Sequence, residues 1–311
     1  MVIILILIGL IIFCLYINQE NFVVDFLLEA TGQADSIWRD TNPIDVVYTW
    51  AGPREHYHNE IKYSILCLKK FMPWVSNIYV FMNDPKIIPD WAPSDVKFIS
   101  HSEIIDPKYL PTTSSFAIET YISSLPGLSS RFIYFNDDFI VIKSLQPDYF
   151  FDALGRPKVM IFDTLKQKHS DFIVPPMYSG FYPHTALPLL KSQLILHNET
   201  YKEYIDWIRS YKTRQGRNFC EKLNGLSFPC QHFQITISPF MYDNGSAIKA
   251  IITDASSDCS NPNYVNYSCL YKLNNEMPGP IIVIQDTVLN EREDLIFTES
   301  IDTYFKYLLD L

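Results

Sequence analysis

From Ile44 onward the chain alternates short, continuously apolar runs with stretches whose apolar residues recur at helical spacing. That alternation limits the fold more than any other feature. Ile44–Trp50 (IDVVYTW) reads as a strand buried on both faces. Asn59–Met72 sets Ile61, Ile65, Leu68 and Met72 on one helical face, with Pro73 just beyond the last turn. Asn77–Met82 (NIYVFM) and Asp95–Ser100 (DVKFIS) read as a second and a third strand. Ser114–Leu125 reads as a helix carrying Phe116, Ile118, Tyr121, Ile122 and Leu125. Phe132–Phe135 (FIYF) is a fourth strand, and it closes on Asn136-Asp137-Asp138. Strands separated by helices predict an α/β fold: a Rossmann-like, mainly parallel sheet flanked by helices. Ligands of such sheets sit outside the carboxyl ends of the strands.

The second half is less regular. Leu187–Leu196 and Tyr201–Tyr211 read as helices, 212–275 as loop-rich, Ile281–Ile284 as a short strand and Glu299–Leu309 as an amphipathic helix. Four cysteines fall as two close pairs, Cys220/Cys230 and Cys259/Cys269. In an oxidising compartment these predict two local disulfides in an irregular C-terminal part, although three connectivities are open. The ten-residue spacings do not suit paired zinc ligands. Cys67 sits alone in a helical pattern and reads as a buried core thiol.

The N-terminus carries one long apolar run, Val2–Ile17 (VIILILIGLIIFCLYI), with no Lys or Arg before it. As a helix it extends roughly 24 Å, short of the ~30 Å hydrocarbon core, so spanning needs a thin bilayer or help from neighbouring residues. No small-x-small cleavage site follows it. Residues 1–17 are therefore read as an uncleaved signal-anchor, with a cleaved signal peptide as the alternative. Residues 18–40 read as a stem and 41–311 as a luminal domain. This expectation describes a single-pass type II protein of the Golgi or another secretory-pathway lumen, attached to the membrane through its N-terminal segment. Three sequons, at Asn198, Asn244 and Asn266, agree with a glycoprotein.

Composition excludes other classes. With 25 Lys+Arg against 35 Asp+Glu the 311-residue chain carries a net charge of −10, and no basic run offers a track for phosphates, so no nucleic-acid partner is expected. An apolar content of 48% is ample for a packed core and rules out general disorder.

Chemistry concentrates at strand ends. Adjacent carboxylates at Asp137 and Asp138 repel unless a counter-ion joins them. Mg²⁺ or Mn²⁺ is the natural one, and a solvated turn is the plainer alternative. Asp45 lies inside the first strand or at its entrance facing water. His101 follows the third and reads on sequence grounds as a satisfied structural histidine. Glu119, among apolar residues of the second helix, either faces solvent or points into the site. His184 precedes an apolar segment, and Arg214 and Arg217 could fork onto phosphate or simply face water. GxGxxG, Walker, HExxH and GxSxG patterns are all absent.

Taken together these segments resemble the Stealth proteins. IDVVYTW is similar to the family's first block. The run from Glu60 to Phe151 is similar to its second, through IKYSILCLKKFMPWVSNIYVFMN, IPDW, ISHSEII, YLPTTSSFAIETYISSLPGLSSRFIYFNDD and PDYFF. The third block is recognisable but degraded, in YPHTALPLLKSQL and QHFQITISPFMY, and VIQD with the last helix stands for the fourth. The sequence departs from the family at Ala51-Gly52-Pro53-Arg54-Glu55 and at Asp84, where a Gly is usual. The resemblance implies transfer of a sugar-1-phosphate from a nucleotide-sugar, UDP-GlcNAc for example, to a hydroxyl of a glycan, polysaccharide or glycoprotein. It implies catalytic roles for Asp45, Glu119, Asp138, His184 and Arg217, with Arg214 as second choice for the arginine. Asp137 and Asp138 become the metal ligands, and Asn83, His101 and Asn136 the donor-binding set. Two rivals share these residues: a metal-dependent glycosyltransferase releasing UDP, and an inactive glycan-binding member.

Overall fold

The computed structural model describes residues 43–52, 59–83, 87–161, 186–212, 237, 240–241, 245–251, 257–258, 280–283 and 291–311. Its centre is a sheet built from β1 (Ile44–Trp50), β2 (Ile78–Met82), β3 (Val96–Ser100), β4 (Arg131–Asn136) and β7 (Leu187–Leu190). The order is β3-β2-β1-β4-β7. The first four strands run parallel, and β7 pairs antiparallel to β4 at the edge. The mainly parallel sheet expected from the sequence is therefore present.

Alternation along the strands divides the core into two layers. Val46, Tyr48 and Trp50 join Ile61, Ile65 and Leu68 of α1 (Glu60–Phe71) on one face. Val47, Phe132 and Tyr134 join Ile118, Tyr121 and Ile122 on the other. Continuous apolar runs are what two covered faces require.

Two segments depart from expectation. The helix over Ser114–Leu125 is broken into α3 (Ser115–Glu119) and a 3-10 turn at Ile122–Ser124. The Thr120 carbonyl is taken by Asn198 Nδ2 at 2.7 Å and Arg209 Nη2 at 3.2 Å, so side chains replace the next helical amide. Leu187–Leu190 is a strand rather than the start of a helix. Pro188 brings no N–H to a ladder, but an edge strand tolerates it. The helix follows as α4 (Lys191–Thr200), then α5 (Lys202–Ser210). A four-residue helix, α2 (His101–Ile104), opens with a capping box formed by Ser100 and Glu103.

Beyond β4 the chain turns through Asp137 and Asp138 into β5 (Phe139–Val141). That strand leaves the main sheet and pairs antiparallel with β10 (Ile281–Val283), which also pairs with β9 (Ser257–Asp258). A separate parallel pair joins β6 (Lys158–Ile161) to β8 (Ile248–Ile251). The last helix, α6 (Glu291–Leu309), begins earlier than its amphipathic pattern suggested. It docks on α1, where the Tyr63 hydroxyl donates to Asp302 Oδ1 at 2.7 Å and the Tyr63 ring stacks on Phe305 at 5.0 Å.

Cys67 is buried, and burial pushes its thiol up to about 12, which suits an inert core residue. The paired cysteines, the apolar run 2–17, the stem and the sequons at Asn244 and Asn266 lie outside the described residues. Among the described residues no helix is long and apolar enough to cross a membrane.

Phe305 is fully buried against Tyr63, Cys67 and Ile301. Phe305→Ala is expected to cost about 3–5 kcal/mol through lost burial and the cavity it leaves. Urea denaturation followed by circular dichroism measures it.

Candidate functional site at the strand-order reversal

Strand order reverses between β1 and β4: β2 and β3 lie on one side of β1, and β4 lies on the other. Outside the carboxyl ends of two such strands a crevice opens. The last register pair there is Thr49 opposite Asn136. Asp137 and Asp138 follow at once, half-buried, in the turn to β5. Asn83 follows the end of β2 and is exposed.

Beneath this edge runs a line of hydrogen bonds. The Tyr134 hydroxyl donates to Glu119 Oε1 at 2.9 Å and shares a 2.8 Å hydrogen bond with Thr49 Oγ1. Glu119 closes α3 and is almost wholly buried, at 1% exposure. Burial raises the Tyr134 pKa well above the phenol's usual value, and the negative charges of Glu119 and Asp137 add to it. Tyr134 therefore stays protonated and acts as a donor. On the opposite face the Tyr48 hydroxyl meets Ser64 Oγ at 2.7 Å, and Ser64 donates to the Phe139 carbonyl. That second line fixes the backbone directly after Asp138.

His101 stands at the end of β3, 1% exposed, with Nδ1 2.9 Å from Asn83 Oδ1 and its ring edge-on to Phe81. Its burial leaves Asn83, not the imidazole, facing outward. Burial lowers the His101 pKa to about 4, against the opposing effect of a hydrogen bond that the ring donates to the Phe81 backbone carbonyl.

The structure thus brings Asn83, His101, Glu119, Asn136, Asp137 and Asp138 to one end of the sheet. It does not bring Asp45 there. Asp45 opens β1 opposite Phe132, four residues from the Thr49–Asn136 pair, or roughly 13 Å along the strand. It is fully buried, and it accepts hydrogen bonds from Asn77 Nδ2 and the Ser129 amide, both at 2.7 Å. His184, Arg214 and Arg217 lie outside the described residues. Thr49 and Tyr134 were missed by the motif reading. Their signal was two hydroxyls near the ends of otherwise apolar strands, on faces that only the register aligns.

The acid pair fits a hard divalent cation by its chemistry. Asp137 and Asp138 offer carboxylate oxygens on adjacent residues, and Oδ1 of Asp138 is buried. No cluster of three or more His, Cys, Asp or Glu able to hold a metal occurs among the described residues. Two carboxylates are nevertheless what Mg²⁺ usually takes from a protein when substrate phosphate and water fill the other positions.

A family profile described as "Stealth protein CR2, conserved region 2" matches residues 54–159. The capsular polysaccharide phosphotransferase LcbA of Neisseria meningitidis is 37% identical over 280 residues, covering 70% of this chain and 76% of that protein. The chain belongs to the Stealth family. A capsular polysaccharide phosphotransferase of N. meningitidis serogroup B is 33% identical over 67% of this chain, and cps12A of Actinobacillus pleuropneumoniae is 30% identical over 69%. The chain spans 63% and 60% of those two relatives' lengths. Among solved structures, galactosyltransferase LgtC, solved with donor and acceptor sugar analogues, aligns with a TM-score of 0.45 at 11% identity, covering 83% of this chain and 95% of that one. That score is below the level at which a common fold follows.

These relatives overturn the expected placement as a type II membrane protein of the Golgi or another secretory-pathway lumen. They are bacterial capsule proteins, and bacteria have no Golgi. The signals behind that expectation were each weak: an apolar run shorter than a bilayer core, and sequons of a kind that arise often by chance. The one sequon within the described residues has its acceptor nitrogen occupied, since Asn198 Nδ2 donates to the Thr120 carbonyl at 2.7 Å.

Two outcomes are expected. Asp45→Ala strands two buried donors and should cost about 2–4 kcal/mol in urea unfolding. A purely catalytic Asp45 would leave the unfolding midpoint unchanged and abolish turnover. Acid should also destabilise the fold. His101 and His197 are buried with pKa values lowered to about 4, against 6.5 for the free side chain. As pH falls the unfolded chain takes up protons that the folded chain refuses. Stability is therefore full above about pH 6.5 and is lost toward pH 4. Urea midpoints measured from pH 7.5 to 4.5 should fall through that window, with roughly half the slope in His197→Gln.

Proposed function

We propose that this chain transfers a sugar-1-phosphate from a nucleotide-sugar to a hydroxyl of a polysaccharide or other glycan, forming a phosphodiester. The observation that carries the reading is the acid pair Asp137/Asp138 at the strand-order reversal, in a chain of the Stealth family. The relatives' names as capsular polysaccharide phosphotransferases support it.

In this reading the acceptor hydroxyl attacks the phosphorus joined to the sugar. A new P–O bond forms, the pyrophosphate P–O bond breaks, and the nucleoside monophosphate leaves with that oxygen. The hydroxyl proton passes to a base, for which Asp138 and His184 are the candidates. A Mg²⁺ or Mn²⁺ ion held by Asp137 and Asp138 would supply charge neutralisation on the phosphate oxygens. Asn83 and Asn136 offer neutral donors and acceptors on either side of β1 to the nucleotide-sugar. Arg217 would add forked donors to phosphate.

The nucleotide product tests this directly. Purified protein supplied with UDP- or GDP-sugars, Mn²⁺ and a glycan acceptor should release UMP or GMP, and mass spectrometry should find the phosphodiester. Release of UDP or GDP with a plain glycosidic product would replace the reading with glycosyl transfer. Asp138→Asn should lower turnover ~10²-fold or more, and EDTA should abolish it.

A further inference from the structure

The hydrogen-bond line Thr49–Tyr134–Glu119 has a direction. The Tyr134 hydroxyl has a single hydrogen, and it is donated to Glu119 Oε1 at 2.9 Å. Its oxygen can then serve Thr49 only as an acceptor, across 2.8 Å. The Thr49 hydroxyl hydrogen is thereby committed inward. Its oxygen keeps only lone pairs for anything outside. Thr49 is half-buried, beside Asn136, at the carboxyl end where β1 and β4 part. Glu119 and Tyr134 are almost fully buried, so the direction is set from inside the core and not by solvent.

We propose that Thr49 is a donor-recognition residue that accepts a hydrogen bond from a hydroxyl of the nucleotide-sugar, and that Tyr134, held by Glu119, is the positioning residue that turns Thr49 into an obligate acceptor. This rests on the nucleotide-sugar reading above. The ligand chemistry is a hydroxyl-bearing ring, either the ribose or the transferred sugar. A carbonyl or phosphate oxygen at this position would meet lone pairs and be rejected. Nearby Asn136 can donate as well as accept, so the two side chains of the last register pair would divide the recognition between them.

The informative variant is Thr49→Val, which keeps shape and removes the hydroxyl. Tyr134 still donates to Glu119 in it, so no buried donor is stranded. Thr49→Ser restores the hydroxyl. Titration calorimetry with Mn²⁺ would compare UDP, GDP, 2′- and 3′-deoxy-UDP, and UDP-GlcNAc on the intact chain. Thr49→Val should weaken nucleotide or nucleotide-sugar binding about tenfold, the value of one hydrogen bond to a neutral group, while thermal unfolding stays within about 2 °C of the parent. Thr49→Ser should bind nearly as the parent does. Tyr134→Phe should weaken binding less, and adding it to Thr49→Val should cost nothing further. A loss already present with UDP, and absent with one deoxy analogue, assigns the contact to that ribose hydroxyl. A loss seen only with UDP-GlcNAc assigns it to the sugar. If the parent binds these ligands and Thr49→Val binds every one of them, UDP-GlcNAc included, equally well, the role of Thr49 is overturned while the nucleotide-sugar reading stands. If the parent binds no nucleoside diphosphate or nucleotide-sugar at all, both fall.

Discussion

The parallel ladder between β1 and β4 is the constraint on which the rest depends. It aligns Ile44 with Arg131 and, five residues on, Thr49 with Asn136. The polar residues that β1 and β4 bring to the site take their places from that alignment. Side chains alternate across a strand, so a slip of one residue would move Tyr134 from the face of Glu119 to the face of α1. The apolar residues forbid that slip. Val47 and Tyr134 pack against Ile118 and Tyr121, and Ile133 and Phe135 pack against the opposite layer. Hydrophobic burial of both faces thus fixes the position of a few oxygen atoms at the edge.

The acids that converge on this sheet survive burial in different ways. Asp45 is fully enclosed and takes an amide N–H and an Asn side chain as donors. Glu119 is enclosed at the other end and takes a phenol. Asp137 and Asp138 are only half-buried, at the rim. An ionised carboxylate is tolerated in a core when charge-assisted hydrogen bonds replace its water. Burial depth therefore distinguishes Asp45 and Glu119 from the rim acids Asp137 and Asp138, although all were equally visible as Asp and Glu in the sequence.

How much could be read in advance follows from the same physics. The parallel strands were legible because burial on both faces leaves continuous apolar runs such as IDVVYTW and FIYF. The acid pair was legible because it ends such a run. Leu187–Leu190 was not, because four apolar residues fit helix and strand alike, and the unpaired edge of β4 decides between them. The break after Glu119 was not, because Asn198 and Arg209, some eighty residues away, remove the Thr120 carbonyl from the helix. Asp45 was visible as an acid within a strand, but its meaning turns on which end of the strand holds it. The resemblance carried the family and could not carry the compartment, since Stealth sequence blocks hold no information about the membrane a cell presents. Thr49 and Tyr134 needed register, which a single strand read alone does not contain.

The turn that bears the acid pair is held from both sides. Before it, β4 is locked between β1 and β7; after it, β5 is paired with β10 in a different sheet. The Phe139 carbonyl is held by Ser64, itself bonded to Tyr48. Two carboxylates brought together repel, and a loose turn would relieve that repulsion by letting them part. Anchored at both ends, this turn cannot. In the reading proposed above, a divalent cation would offset that repulsion. In that reading, a turn held in advance would need little rearrangement as phosphate charge shifts during transfer, the preorganisation from which electrostatic catalysis draws most of its strength.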